Sequence, residues 1–357
     1  MIEVIFTLDY EIYGDGTGPL RELVHEPTER LCATFEKWNA RFVNFVEVAE
    51  FEQIEAAGTD SAINSVKKQV REMHRAGYEI ALHMHPQWYN ARREQDRWVL
   101  DNAEYNMCVL PEDRITTMVE RAVDYLRDMV HEPGFTPLSF RAGNWLFQPT
   151  RVAARELSRQ GIRIDSSVFK GGLQHNHKLD YRPALKNGYY WPFSSDVNVP
   201  DSNGPWLELP IYTELVAPWK MATSKRMGMG NSYGPSRQDL RKKVNRGLDL
   251  LRFRYPLKFD FCRMTLAEMT STIDRVMEAD RQDPDKLKPI VAIGHSKDLV
   301  DLPAVDSFLS FLADRQIAVS TFQSIESKLI DREQLSTLGS NHNSTLDSVG
   351  NVRGDYV

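Results

Sequence analysis

The sequence predicts an α/β fold built on a mainly parallel sheet, and three observations carry that prediction. From Met1 to about Asp331, short apolar strands alternate with amphipathic helical stretches, the order that successive βα units produce. At 357 residues and 41% hydrophobic, the chain can bury one large core or two medium ones. Chemically capable side chains recur where the strands end. A barrel and an open sheet both satisfy this pattern, and two domains is the upper limit because α/β barrels of ~250 residues form single units.

The elements follow in order. Ile2, Val4, Phe6 and Leu8 alternate along a first strand. Glu29 to Arg41 carries Leu31, Phe35 and Trp38 at helical spacing and runs into a β-rich strand, Phe42 to Val48. Ile63, Val66, Val70 and Met73 mark the next helix, Gly77 is placed to end it, and Glu79 to His83 follows as a strand. Ile115, Val119, Ala122, Leu126 and Met129 define a helix before the strand Leu138 to Arg141, and Val152 to Gly161 leads likewise into Ile162 to Asp165. Thr265 with Glu268 reads as a capping box that opens a helix to about Ala279, before the strand Ile290 to Ile293. A last helix, about Ala304 to Arg315, precedes Ile317 to Thr321.

Two segments break the rhythm, Gln87 to Glu112 and Gly171 to Ser236, and loops of that length inside a domain are often functional. After Ser336 turn formers dominate, so a mobile tail over 332–357 is expected beyond a single unit over 1–331.

Composition excludes several classes. Lys+Arg total 44 against 50 Asp+Glu, a net charge of −6, which argues against nucleic acid as the partner. Cys32, Cys108 and Cys262 are too scattered for a disulfide framework or a metal knuckle and read as reduced, buried thiols. The opening M-I-E-V-I-F-T-L-D lacks the basic and apolar regions of a secretory signal, and no stretch of about 18 apolar residues occurs, so no membrane span and a cytoplasmic location are expected. Nothing bears on oligomeric state.

Four clusters could carry chemistry. Thr7, Asp9 and Glu11 share one face of the first strand, so two carboxylates converge at its end, a costly pair unless a cation or a shared proton compensates it. His83 and His85, in L-H-M-H-P-Q-W, share a face where another strand ends and can bind one cation; Zn²⁺ suits such donors, with Co²⁺, Ni²⁺ or Mn²⁺ as competitors. Arg141, in S-F-R-A-G-N-W, can orient a carboxylate by a two-pronged contact. His295, in A-I-G-H-S-K-D-L, follows an apolar strand. Each alone has a plain structural alternative: a bonded strand end, ordinary histidines, a structural ion pair. Together they all fall at the C-terminal ends of strands, the edge where α/β folds bind substrates.

At these residues the chain resembles the polysaccharide deacetylase family, the NodB-like carbohydrate esterases, over roughly Met1 to Asp331. T-L-D-Y-E resembles the family's T-F-D-D, H-M-H-P-Q-W its histidine motif, and R-A-G-N-W its R-x-G-x-W, with Gly143 and Trp145 included. G-I-R-I-D-S-S-V, with Asp165, Ser166 and Ser167, is similar to another family strand, and W-L-E-L-P (Trp206 to Pro210) resembles its groove-wall motif. The resemblance implies a distorted (β/α)7 barrel of the NodB-homology type, a single catalytic domain with loop insertions.

It also implies an activity, metal-dependent hydrolysis of an N-acetyl or N-formyl group on an amino sugar of a saccharide or surface-polysaccharide precursor. The roles implied are a divalent metal, with Zn²⁺ expected, on Glu11, His83 and His85; Asp9 as base, oriented by Arg141; His295 as acid. Trp145, Trp206, Leu209 and Trp88 are expected to wall the site. The chain departs from the family at Tyr10, where a second aspartate is usual, and at Gln87, where a second histidine is usual. The first departure implies that ligation moves to Glu11, with Asp9 against Glu11 left open, and the second that His85 substitutes. The alternatives are a C–N hydrolase of cyclic imides or ureides on the same barrel, and a carbohydrate-binding protein that has lost its metal.

Overall fold

The first strand, β1 (Ile2–Tyr10), is buried along nearly its whole length, because apolar layers lie against both of its faces. In the computed structural model, which describes residues 1–221 and 254–330, β1 lies inside a nine-stranded sheet. The other strands are β2 (Val43–Glu47), β3 (Glu79–Met84), β4 (Ser139–Ala142), β5 (Ile164–Asp165), β6 (Trp191–Phe193), β7 (Trp206–Glu208), β8 (Lys288–His295) and β9 (Ala318–Val319). Their order is β6-β7-β5-β4-β3-β2-β1-β8, with β9 beside the start of β1. Every pairing is parallel except β6 with β7.

The sheet curls until its two sides meet. Ile211 bridges Phe169 on one side and Val291 of β8 on the other. Its N–H donates to the Val168 carbonyl (2.8 Å), and the Tyr212 N–H donates to Val291 (3.0 Å). Single bridges rather than a full strand make this closure, so the barrel is distorted, as the resemblance implied.

The alternation of β1 sorts two cores. Val4, Phe6, Leu8 and Tyr10 join the outer core, where Phe6 meets Phe35 of α1 (Glu26–Lys37) edge-on at 5.1 Å. Ile5 joins Val43, Phe45, Ala81, Ile164, Leu209 and Val291 in a second cluster that plugs the barrel interior. Each Val, Leu, Ile or Phe among them contributes about 1.5–3 kcal/mol when fully buried. Thr7 and Asp9 point the same way as Ile5, above the plug.

Helices follow where periodicity predicts them, with additions that include a helical stretch over 322–330 and one directly after β2. The capping box at Thr265 opens the helix Leu266–Gln282 with both reciprocal bonds present. The strand expected to end at Val48 ends at Glu47, and Val48 opens a helix, α2 (Val48–Ala57), with no intervening loop. Its sequence, V-A-E-F-E-Q-I-E-A-A, has a weak apolar stripe, and the Glu47 carboxylate starts it by accepting the Glu50 N–H (3.1 Å). Cys108 and Cys262 are buried free thiols, whereas Cys32 is half-buried. Among the described residues no helix is long and apolar enough to cross a membrane. The expected tail, 332–357, and the part of the second long segment at 222–236 lie outside the described residues.

Candidate active site

Parallel register builds the site as two rows at the C-terminal edge. Asp9 pairs with His295 across β1 and β8. Glu47, His83 and Arg141 form a second row across β2, β3 and β4. Glu11 stands just past β1, where its backbone N–H and carbonyl both bond the Ser296 hydroxyl (3.2 and 3.1 Å).

Arg141 has no exposed surface and spends its fork inside the protein. Its Nη1 donates to Asp9 Oδ1 (2.5 Å), its Nη2 to the hydroxyls of Thr7 (3.0 Å) and Ser166 (3.1 Å), and its Nε to the Ser166 carbonyl (2.9 Å). The guanidinium lies 4.1 Å from the centre of the Phe45 ring, on top of the apolar plug. Asp9 is thereby held in one rotamer. Burial opposes its charge, but Arg141, His83 and His295 outweigh burial and keep it below the usual carboxylate range. Ser166 and Ser167 of the D-S-S turn serve this frame, since the Ser167 hydroxyl accepts the Ala142 N–H (2.9 Å) and donates to Asp165 (2.7 Å).

The two imidazoles converge on Glu11. His83 Nδ1 lies 2.8 Å from the Arg141 carbonyl, which can only accept, so Nδ1 keeps its proton and in the neutral imidazole Nε2 is the nitrogen that carries the lone pair. That Nε2 faces Glu11 Oε2 at 3.4 Å, and His85 Nε2 faces the same oxygen at 3.0 Å. Gln87 lies 3.1 Å from His85 Nδ1 through its amide nitrogen and leaves its own Oε1 buried without a partner. The Asn144 amide nitrogen lies 3.3 Å from the same Nδ1; with both amides reversed, their oxygens would accept an Nδ1 proton and the His85 Nε2 lone pair would face inward. Gln87 thus supports His85 from behind.

Glu47 is the residue that sequence reasoning missed. It is fully buried, its Oε1 caps α2, and among the described residues its Oε2 has no hydrogen-bond partner. Glu11, Glu47, His83 and His85 each offer one ligand atom, and these atoms lie within 4.8 Å of one another. Two imidazole nitrogens and two carboxylates converging in a buried cluster, with one carboxylate oxygen lacking a hydrogen-bond partner among the described residues, fit a divalent cation, and two nitrogens with two oxygens suit Zn²⁺, Co²⁺, Ni²⁺ or Mn²⁺. Burial raises the Glu47 pKa. Burial works against Glu11 too, but Lys297 (Nζ to Oε1, 2.7 Å) and His85 hold it well below the usual range. One signal could have found Glu47: it is the only carboxylate of its strand and stands at the C-terminal end, where the other candidates stand.

His295 brings Nε2 to 3.5 Å from Asp9 Oδ2, and burial lowers its pKa. Trp145 meets His295 edge-on at 6.5 Å and is half-buried. It is held in a left-handed turn, φ 62°, with its carbonyl accepting the Tyr181 hydroxyl (2.7 Å). The other three expected wall residues stand elsewhere. Trp88 is 1% exposed and packs on Trp98; Leu209 belongs to the interior plug; Trp206 opens β7, level with Arg163 at the entering end, and packs between Phe147 and Phe193.

The curled, mainly parallel sheet has a counterpart among solved structures. The chain aligns with the crystal structure of a "putative polysaccharide deacetylase" from Mycobacterium smegmatis at a TM-score of 0.52 and 14% identity, over 93% of this chain and 91% of that one. It aligns with a "probable polysaccharide deacetylase" from Pseudomonas aeruginosa PAO1 at 0.47 and 13%, over 91% and 89%, and with Puue allantoinase at 0.48 and 13%, over 91% and 88%. At 14% identity the first of these likenesses is one of fold. No family model and no curated protein matches the sequence.

Proposed function

We propose that the protein is a metal-dependent hydrolase that removes an N-acetyl, or N-formyl, group from an amino sugar in a saccharide or surface-polysaccharide precursor. The observation that carries this reading is the pairing of a buried, arginine-held carboxylate, Asp9, with the neighbouring Glu11–Glu47–His83–His85 cluster. A metal there would be held by Glu11, His83 and His85, with Glu47 in reach, and would supply a Lewis acid that polarises the acyl carbonyl and acidifies water.

The chain's own groups move the protons. Asp9, ionised and fixed by Arg141, takes a proton from the attacking water. His295, neutral because burial lowers its pKa and 3.5 Å from Asp9 Oδ2, can receive that proton and deliver it to the departing amine. The water oxygen ends on the acyl carbon as the free acid and its proton ends on the amine, so the hydrolysis balances. Trp145 shields the acyl methyl from solvent.

Acetate release from N-acetylated amino sugars, measured beside bound metal, tests this. His83→Ala should bind almost no metal. His295→Asn should keep about one equivalent and turn over ~10²-fold more slowly. Unchanged turnover in His295→Asn would remove the acid role, and an absence of acetate from every saccharide would remove the activity.

A further inference from the structure

Lys258 is a cation that the proposed chemistry does not use. It ends the strand Tyr255–Lys258, which pairs antiparallel with Thr213–Val216 and sets Lys258 opposite Thr213. Its Nζ lies 3.0 Å from the centre of the Trp145 ring and 4.9 Å from that of Phe169. The same Trp145 meets His295 edge-on at 6.5 Å, so one indole touches both the ammonium and the imidazole's surroundings.

Among the described residues the ammonium has no counter-ion. Lys258 is half-buried, and among the described residues its Nζ makes no hydrogen bond or ion pair. The carboxylates nearest in electrostatic reach are engaged elsewhere. Asp9 is held by Arg141, while Asp260 accepts the Cys262 and Arg263 N–H groups (3.0 and 3.1 Å) and faces Arg263 Nε at 3.7 Å. Arg263 in turn grips Asp298 (2.6 Å). Buried charges are ordinarily paired, and an aromatic face offsets only part of the missing hydration. In keeping with this, burial, only partly opposed by Asp260, lowers the Lys258 pKa to about 7.

We infer that Lys258 is the anchor for an anionic substituent, a carboxylate or a phosphate, carried by the saccharide whose acyl group reacts at Asp9 and His295. The sugar in this inference rests on the deacylase reading above; the anion site does not. An anion there completes the ammonium's pairing and orients the sugar along Trp145.

The test is peptide-resolved labelling of Lys258 by acetic anhydride in the full-length protein. Labelling is run alone and with inorganic phosphate, N-acetylglucosamine, N-acetylglucosamine 6-phosphate and N-acetylmuramic acid, with calorimetric affinities for the same sugars. The anionic sugars should slow labelling at least tenfold at concentrations where the neutral sugar does not, and the phosphate and carboxylate arms identify which anion fits. Lys258→Met should lose the anionic-over-neutral preference in affinity, and Lys258→Arg should retain it. Equal labelling under all conditions, or the same preference in Lys258→Met as in wild type, overturns the inference. Protection of Lys258 without acetate release would remove the deacylase reading and leave the anion site. Equal acetate release from neutral and anionic sugars, with no protection, would do the reverse.

Discussion

Gly143 and His85 approach so closely that a β-carbon at residue 143 would lie 2.8 Å from the imidazole Cγ and 2.9 Å from the His85 Cα, with the Met84 carbonyl at 2.6 Å. The glycine of R-A-G-N-W is therefore required by contact with the histidine motif: the turn that carries Trp145 passes directly against the strand end that carries His85. Gly143→Ala should push His85 away from Glu11. The expected result is a loss of metal affinity of at least tenfold with the fold retained, read by metal titration beside circular dichroism. Unaltered affinity would mean that the two segments move independently.

Removing Arg141 should be costly for stability as well as for turnover. Arg141→Met leaves Asp9 buried without its partner, and breaking one side of such a pair costs about 3–5 kcal/mol. Arg141→Lys keeps the charge but cannot reach Asp9, Thr7 and Ser166 together. Urea unfolding of both variants checks this, and an unchanged midpoint for Arg141→Met would contradict it.

Metal affinity should rise with pH. Burial opposes charging of His83, but Asp9 and Glu11 outweigh it and push the pKa up to about 9 in the metal-free protein. A metal must displace that proton, so below about pH 9 affinity should climb roughly tenfold per pH unit and flatten above it. Calorimetry in buffers of different ionisation enthalpy should register about one proton released at pH 7. Uptake of a proton, or none moved, would reverse the assignment of the lone pair on Nε2.

Tyr181→Phe should loosen Trp145 without touching the metal. The hydroxyl donates to the Trp145 carbonyl and accepts the Phe147 N–H (3.2 Å), so its loss leaves a buried N–H unpaired, at about 1–3 kcal/mol. Saccharide binding should weaken while metal stoichiometry holds. A fall in metal content would place Tyr181 in the metal site instead.

The chain order of elements and most of the polar cluster were legible because both are local. Period-2 alternation in β1 turns Asp9 inward whatever the rest of the chain does, and H-x-H at the end of β3 presents both imidazoles to one side. The α2 helix was not legible, since its apolar stripe is weak and its start depends on the Glu47 carboxylate reaching the Glu50 N–H. Trp206 misled for the opposite reason: a motif states which residue is present, whereas the parallel register of β7 with β5 sets it at the entering end.

By itself, then, the sequence determined the strand faces and the residue types at each strand's end, because those follow from the chain's own periodicity. Tertiary structure alone decided which strand ends share a row. Glu47 faces His83 because β2 pairs with β3 in that register, Lys297 meets Glu11 from 286 residues away, and Lys258 comes to rest on Trp145 from a separate pair of strands. Such partners are set by sheet register and barrel closure, which depend on the packing of the whole core and leave no mark on the spacing of residues along the chain.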